Sequence, residues 1–151
     1  MKYQSLKSLS LPLVTLLVVF GTSMLTAQAQ TSQRLYAQIP FDFVVGDKTL
    51  SAGRYSVSSP MQDGSALMVR SVNAKDLAIR MTHEIQSRSD KSNPRLIFHR
   101  YGQTYFLAEV WSVGNTGRVL RASKAERALQ REFASIAQTR YEKVELIASV
   151  R

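Results

Sequence analysis

From Leu35 the odd positions read Leu35, Ala37, Ile39, Phe41, Phe43 and Val45, all apolar, while Gln38 and Asp42 fall on the even side. This period of two predicts a long strand with one buried face. Pro40 cannot donate to a central ladder, so the strand is expected to bend there. Gly46-Asp47 then breaks the pattern, Leu50-Ser51-Ala52-Gly53 reads as a tight turn with Gly53 supplying a positive φ, and Arg54-Tyr55-Ser56-Val57 resumes the alternation. Two further strands are predicted over residues 66–72 and 77–85, followed by a polar loop over 87–94. LIFHRY, Gly102-Gln103 and TYFLAEVW predict a hairpin on a type II′ turn. The expected register pairs Arg100 with Tyr105, His99 with Phe106, Phe98 with Leu107, Ile97 with Ala108 and Leu96 with Glu109.

The periodicity then changes. Ser123-Lys124-Ala125-Glu126 has the form of a capping box, and Ala125, Leu129, Phe133 and Ile136 recur at helical spacing. These predict an amphipathic helix over about 124–139, after which Val144, Leu146, Ala148 and Val150 alternate as a final strand. On unbroken alternation Leu107 and Trp111 share one face of their strand and Phe106, Ala108 and Val110 the other, which makes it a central strand under the helix. The fold expected is mainly β with one helix (α+β): a curved antiparallel sheet, half-barrel or sandwich of about seven to eight strands, closed by a C-terminal amphipathic helix and a last strand.

The N-terminal residues change the picture of where this domain works. Lys2 and Lys7 precede an apolar run over 9–20, which contains Pro12 and is followed by Ala27-Gln28-Ala29. This is a signal-peptide layout with an A-x-A cleavage site, and the run is short of the roughly 20 apolar residues of a bilayer span. Cleavage is expected after Ala29, giving a signal peptide over 1–29, a single exported domain over 30–151, a secreted or periplasmic location, and no transmembrane span in the product. There is no cysteine, so no disulfide can staple that product. The formal charge is +9, and loss of Lys2 and Lys7 with the leader lowers it to +7. Such a balance favours anionic surfaces such as lipid headgroups, acidic glycans or nucleic acid, and the partner expected is an anionic surface, a glycan or a protein. No specific nucleic acid is expected.

Chemistry is sparse. His83-Glu84 begins like a helical zinc motif, but Ser87 stands where the second histidine would be. A nucleophile elbow and a phosphate-cradling lysine are both absent, and Gly114-Asn115-Thr116-Gly117 reads as a plain connection. Neither metal nor cofactor is expected, no catalytic residue is assigned, and the domain is read as a non-enzyme. Its strongest candidate site is the basic face of the helix. Lys124, Arg127 and Arg131 project within about 60° of one another at roughly 100° per residue, with Arg118 and Arg121 preceding them. Two of these cations sit in the first turns, where the helix dipole disfavours positive charge by about 0.3–1 kcal/mol each. Tyr105 and Trp111 on the hairpin complete the candidate binding set, since an aromatic row can stack on sugar rings or bases.

Residues 39–57 (IPFDFVVGDKTLSAGRYSV), RLIFHRYGQTYFLAEVW and the later Ser-Lys-Ala-Glu-Arg together resemble a family of small exported bacterial proteins of unknown function. Its pattern runs I-P-F-D-F-x-V-G-x-x-x-L-P-A-G-x-Y, then a strand ending R-Y-G, Y-F-L and a tryptophan, and a charged helix. The resemblance spans roughly residues 39–133. It implies export and a mainly β fold, with no activity or site residue to carry over. Ser51 departs from the pattern, which has proline there; that loses about 0.4–1 kcal/mol of turn preorganisation where the backbone suits proline. Two alternatives to a binding domain stand beside it: a carrier holding a small apolar ligand among Phe41, Phe43, Tyr55 and Phe106, and a hydrolase using Asp42, His99 and Glu109.

Overall fold

A computed structural model describes residues 34–87, 93–137 and 141–150, with backbone alone for 136 and 137. The expected signal peptide, most of the polar loop over 87–94 and the expected helix end at Thr139 lie outside the described residues.

Eleven strands and one helix follow in chain order: β1 (Leu35–Ile39), β2 (Phe43–Val45), β3 (Lys48–Leu50), β4 (Gly53–Ser58), β5 (Ala66–Ser71), β6 (Leu77–Gln86), β7 (Arg95–Tyr101), β8 (Thr104–Trp111), β9 (Thr116–Leu120), α1 (Lys124–Ala137), β10 (Glu142–Ile147) and β11 (Ser149–Val150). The hydrogen-bonded order is β10-β7-β8-β9-β6-β5-β4-β1-β11, with β2 joining β3 on one side and β8 on the other. Each pairing is antiparallel except β2 with β8, so the sheet is mixed. β6 serves two ladders, pairing β5 through its first half and β9 through its second. The C-terminal segment does the same: β10 lies along β7 and β11 along β1. Between them Ala148 is buried and donates its N–H to the Pro94 carbonyl at 2.8 Å. The two ends of the open sheet are thus consecutive pieces of one strand-like segment.

The odd-position row faces the core as alternation requires, with Leu35, Ala37, Ile39, Phe43 and Val45 each at most 4% exposed. Yet the single bent strand expected over 35–45 is two strands. The chain leaves the ladder at Pro40 and re-enters beside β8, so Pro40 marks a change of partner. Phe43, Tyr55 and Phe98 then meet edge to face, with ring centroids 5.0 and 5.6 Å apart around Phe43, an arrangement that adds to burial of the rings. The stretch over 39–57 is held by two side chains: Asp42 Oδ1 accepts the Ala52 N–H at 2.7 Å, and the Tyr55 hydroxyl donates to the Ser51 carbonyl at 2.7 Å. Gly53 does not have the positive φ expected of it. It opens β4 opposite Ile39 in ordinary extended backbone.

The β7–β8 hairpin turns at Gly102, whose φ of +60° beside a negative φ at Gln103 fits the type II′ turn. The first three expected pairs hold: Arg100 with Tyr105, His99 with Phe106, Phe98 with Leu107. A bulge then leaves Ala108 unpaired, and Ile97 meets Glu109 while Leu96 meets Val110. The slip moves every later side chain to the opposite face from unbroken alternation. Leu107 therefore shares the core with Val110, and Trp111 lies on the other face with Phe106. β8 is buried on both sides, but by a different set of residues on each.

Candidate functional site

α1 begins at the Ser123 cap, whose Oγ accepts the Glu126 N–H at 3.1 Å while its carbonyl accepts the Arg127 N–H at 3.0 Å. In a full capping box the Glu126 side chain would reach back to the cap. Here it turns inward: Glu126 is 6% exposed, and its Oε1 lies 3.0 Å from His99 Nδ1 on β7. With Glu126 ionised, this hydrogen bond requires the proton on Nδ1, since a carboxylate only accepts. The imidazole stacks on Tyr141, with centroids 3.9 Å apart. Two residues along the strand, Tyr101 makes ring contacts with Phe106, Phe133 and Tyr141 at 5.9 to 6.0 Å. Burial, then the negative charge of Glu126 and the neighbouring Tyr141, push the Tyr101 hydroxyl up to about 12.

These contacts set which side of α1 faces the sheet. Glu126, Leu129, Gln130 and Phe133 are the inward residues and Ala125 is exposed, so the apolar face expected through Ala125 is rotated toward Glu126. Sequence spacing read Glu126 as part of the cap; its partner His99 is 27 residues away on another element, and no local pattern announces the pair.

Opposite that face stand Lys124, Arg127 and Arg131, with Arg121 ahead of the helix, all four exposed. Arg131 Nε donates to the Arg127 carbonyl at 3.2 Å, and among the described residues none of the four forms an ion pair. Five cations on the strands are paired instead, Arg80, Arg95, Arg100, Arg118 and Lys143 with Asp47, Glu145, Glu142, Glu84 and Glu109 respectively, whereas Lys48, Arg54 and Arg70, also on strands, form no ion pair among the described residues. Arg118, expected to lead into the helical patch, thus belongs to the sheet. The two candidate aromatics also lie apart from the helical cations, in the sheet. Tyr105 stacks on Phe41 at 3.9 Å, with the Arg100 guanidinium 5.5 Å from its ring on the other strand. Trp111 is 6% exposed, donates Nε1–H to Glu109 Oε2 at 2.7 Å, and carries the Arg95 guanidinium 4.9 Å from its centroid. Neither ring presents an open stacking face like that expected of an aromatic row.

Asp42, His99 and Glu109 are each occupied by a separate partner. Asp42 holds the Ala52 amide, Glu109 receives the Trp111 indole and lies 3.5 Å from Lys143 Nζ, and His99 faces Glu126. Among the described residues no group of three or more His, Asp or Glu side chains is placed to hold a metal ion, and no helix is long and apolar enough to cross a membrane. The four aromatics expected around an apolar ligand do not surround one space. Phe43 and Tyr55 are in ring contact in the core, with Phe41 packed at its margin, while Phe106 lies on the opposite face of β8. Comparison of the chain with protein-family models, with curated proteins and with solved structures finds no match, so any functional reading rests on the arrangement of its own residues.

Proposed function

We propose that this is an exported, non-catalytic binding domain whose α1 presents a basic face to an anionic component of the cell envelope. The observation that carries the reading is the row Arg121, Lys124, Arg127 and Arg131, exposed and without an ion pair among the described residues. The leader-like N-terminus and the resemblance to exported proteins support its location. A surface carrying anionic lipid contributes about 1 kcal/mol per basic residue held near it, so four cations suffice for reversible attachment. The anchoring of α1 through Glu126 and Phe133 keeps that face oriented outward.

The test is retention of the protein, produced from the full chain, on vesicles containing phosphatidylglycerol across a salt gradient. A Lys124→Ala, Arg127→Ala, Arg131→Ala variant runs beside it. The native protein is expected to be held to higher salt than the variant, because exposed charges are screened within about 10 Å at 0.1 M salt. Co-elution of the two at low salt would overturn the reading.

A further inference from the structure

The outer face of the sheet at β1, β4 and β11 bears a shallow groove of about 280 Å³, lined by Tyr36, Ala37, Gln38, Arg54 and Ser149. Strand register explains how it forms. Gln38 lies directly opposite Arg54, and Tyr36 opposite Ser56 on one side and Ser149 on the other. The odd residues of β1 point into the core, so the even ones, Tyr36 and Gln38, point out. Tyr36 is half-buried, with Gln38 and Arg54 exposed. Among the described residues the Arg54 guanidinium, the Gln38 amide and the Tyr36 hydroxyl have no hydrogen-bond partner in the fold, and Arg54 forms no ion pair.

The charges on the strands that form the groove share one sign. Arg34 precedes β1 on the same alternation as Tyr36, and Arg70 lies opposite Ser56 on β5. β4 and β5 therefore each bring one arginine to this face, with Arg34 just ahead of β1, and β1, β4, β5 and β11 contain no Asp or Glu. The strands lie about 4.8 Å apart, so these cations are spread as separate single charges and do not converge on one point.

We infer that this groove binds a carboxylated sugar, one ring of a uronate-containing glycan, with Arg54 on the carboxylate and Tyr36 against the ring. A guanidinium fork matches a carboxylate with two parallel hydrogen bonds. A half-buried tyrosine gives an amphipathic ring platform, and an amide with a neighbouring serine supplies the mixed donors and acceptors that sugar hydroxyls need. The volume lies near the lower end for small-molecule sites, about 300 Å³, which fits a single ring. Arg34 and Arg70 fit further carboxylates along a chain with one charge per ring. The site is separate from the basic face of α1 and does not depend on it.

Calorimetric titration of the protein, produced from the full chain, with tri-galacturonate and with its fully methyl-esterified form tests the assignment. The acid form is expected to bind and the uncharged ester to bind about tenfold more weakly or worse, the range set by losing a charge-assisted hydrogen bond. Arg54→Gln is expected to lower affinity for the acid by a similar factor, Arg54→Lys to restore only part of it, and the triple α1 variant to leave it unchanged. Arg54 is exposed, so these variants retain the fold, which circular dichroism checks; Tyr36→Ala adds the ring contact. Equal affinity for acid and ester, no binding of the acid, or an unaffected Arg54→Gln would overturn the inference. So would tighter binding of a single-stranded oligonucleotide or of phosphatidylglycerol vesicles at the same residues. Binding lost only in the α1 variant would move the glycan to the helix and overturn the groove.

Discussion

Two buried phenols carry a pH dependence that the folded chain cannot avoid. Tyr55 is 1% exposed and its hydroxyl is pushed up to about 12, by burial first and then by the charge and hydrogen bond of Asp76. Tyr101 reaches about 12 through burial and the nearby Glu126 charge. An unfolded tyrosine loses its proton near pH 10. Below pH 10 both states hold the proton and the shift has no effect. Between about pH 10 and 12 the unfolded chain binds fewer protons than the native one, so stability falls as pH rises. Urea unfolding at pH 7, 9 and 11 is expected to show little change over the first step and a clear loss over the second. Tyr101→Phe should reduce that loss, and an equal alkaline slope in the variant would show that Tyr101 is not its source.

At the scale of elements, α1 is joined to the sheet by contacts of two kinds: the Glu126–His99 pair, and Phe133 against the hairpin at Tyr101 and Gly102. Leaving the half-buried His99 nitrogen without its acceptor costs roughly 1 kcal/mol, the low end for an unsatisfied polar group. Glu126→Ala is expected to lower stability by about that amount and to speed amide exchange over residues 124–130 while β1, β4 and β5 stay protected. A uniform rise in exchange would argue that the pair supports the whole fold equally. Element type was legible where a pattern ran long: the odd-position row of β1 and β2, the hairpin turn at Gly102, and the helix start at Ser123 all follow from local residues. What local residues do not encode is partner choice. β2 is three residues long and hides inside the alternating run that begins with β1, β3 is three residues just after the break at Gly46-Asp47, the bulge at Ala108 has no glycine to mark it, and β2 lies parallel to β8 across a separation of some 60 positions. The helix face was misjudged for the same reason, since a glutamate at a cap position is legible as a cap and its burial depends on a histidine from another strand. Of the candidate site, the helical cations were readable from spacing, whereas the Tyr36, Gln38 and Arg54 groove arises only when β1 and β4 pair.

For the molecule as a whole, the absence of cysteine leaves the link between the two end strands of the sheet to noncovalent contacts of its C-terminal segment. Ala148 stands between the β7–β10 and β1–β11 ladders, 6% exposed, with its amide committed to Pro94. Ala148→Asp would bury a carboxylate there without a partner, a cost of several kcal/mol against a total stability of about 5–15 kcal/mol. Loss of near-ultraviolet circular dichroism with retained far-ultraviolet signal and binding of a hydrophobic dye is the expected outcome. A native near-ultraviolet spectrum would show that the segment is dispensable to the core.

The pairing of β1 with β11 also decides how the domain responds to force. Leu35 lies opposite Val150 and Tyr36 opposite Ser149, antiparallel, so the outer residues of both strands sit at the same end of the ladder. Tension applied between those two points loads one rung at a time and peels the strands apart like a zipper, instead of shearing all rungs together. Since β11 is two residues long and continuous with β10, a tug along the chain would first strip β11 from the sheet, then reach Ala148 and open the core from its seam.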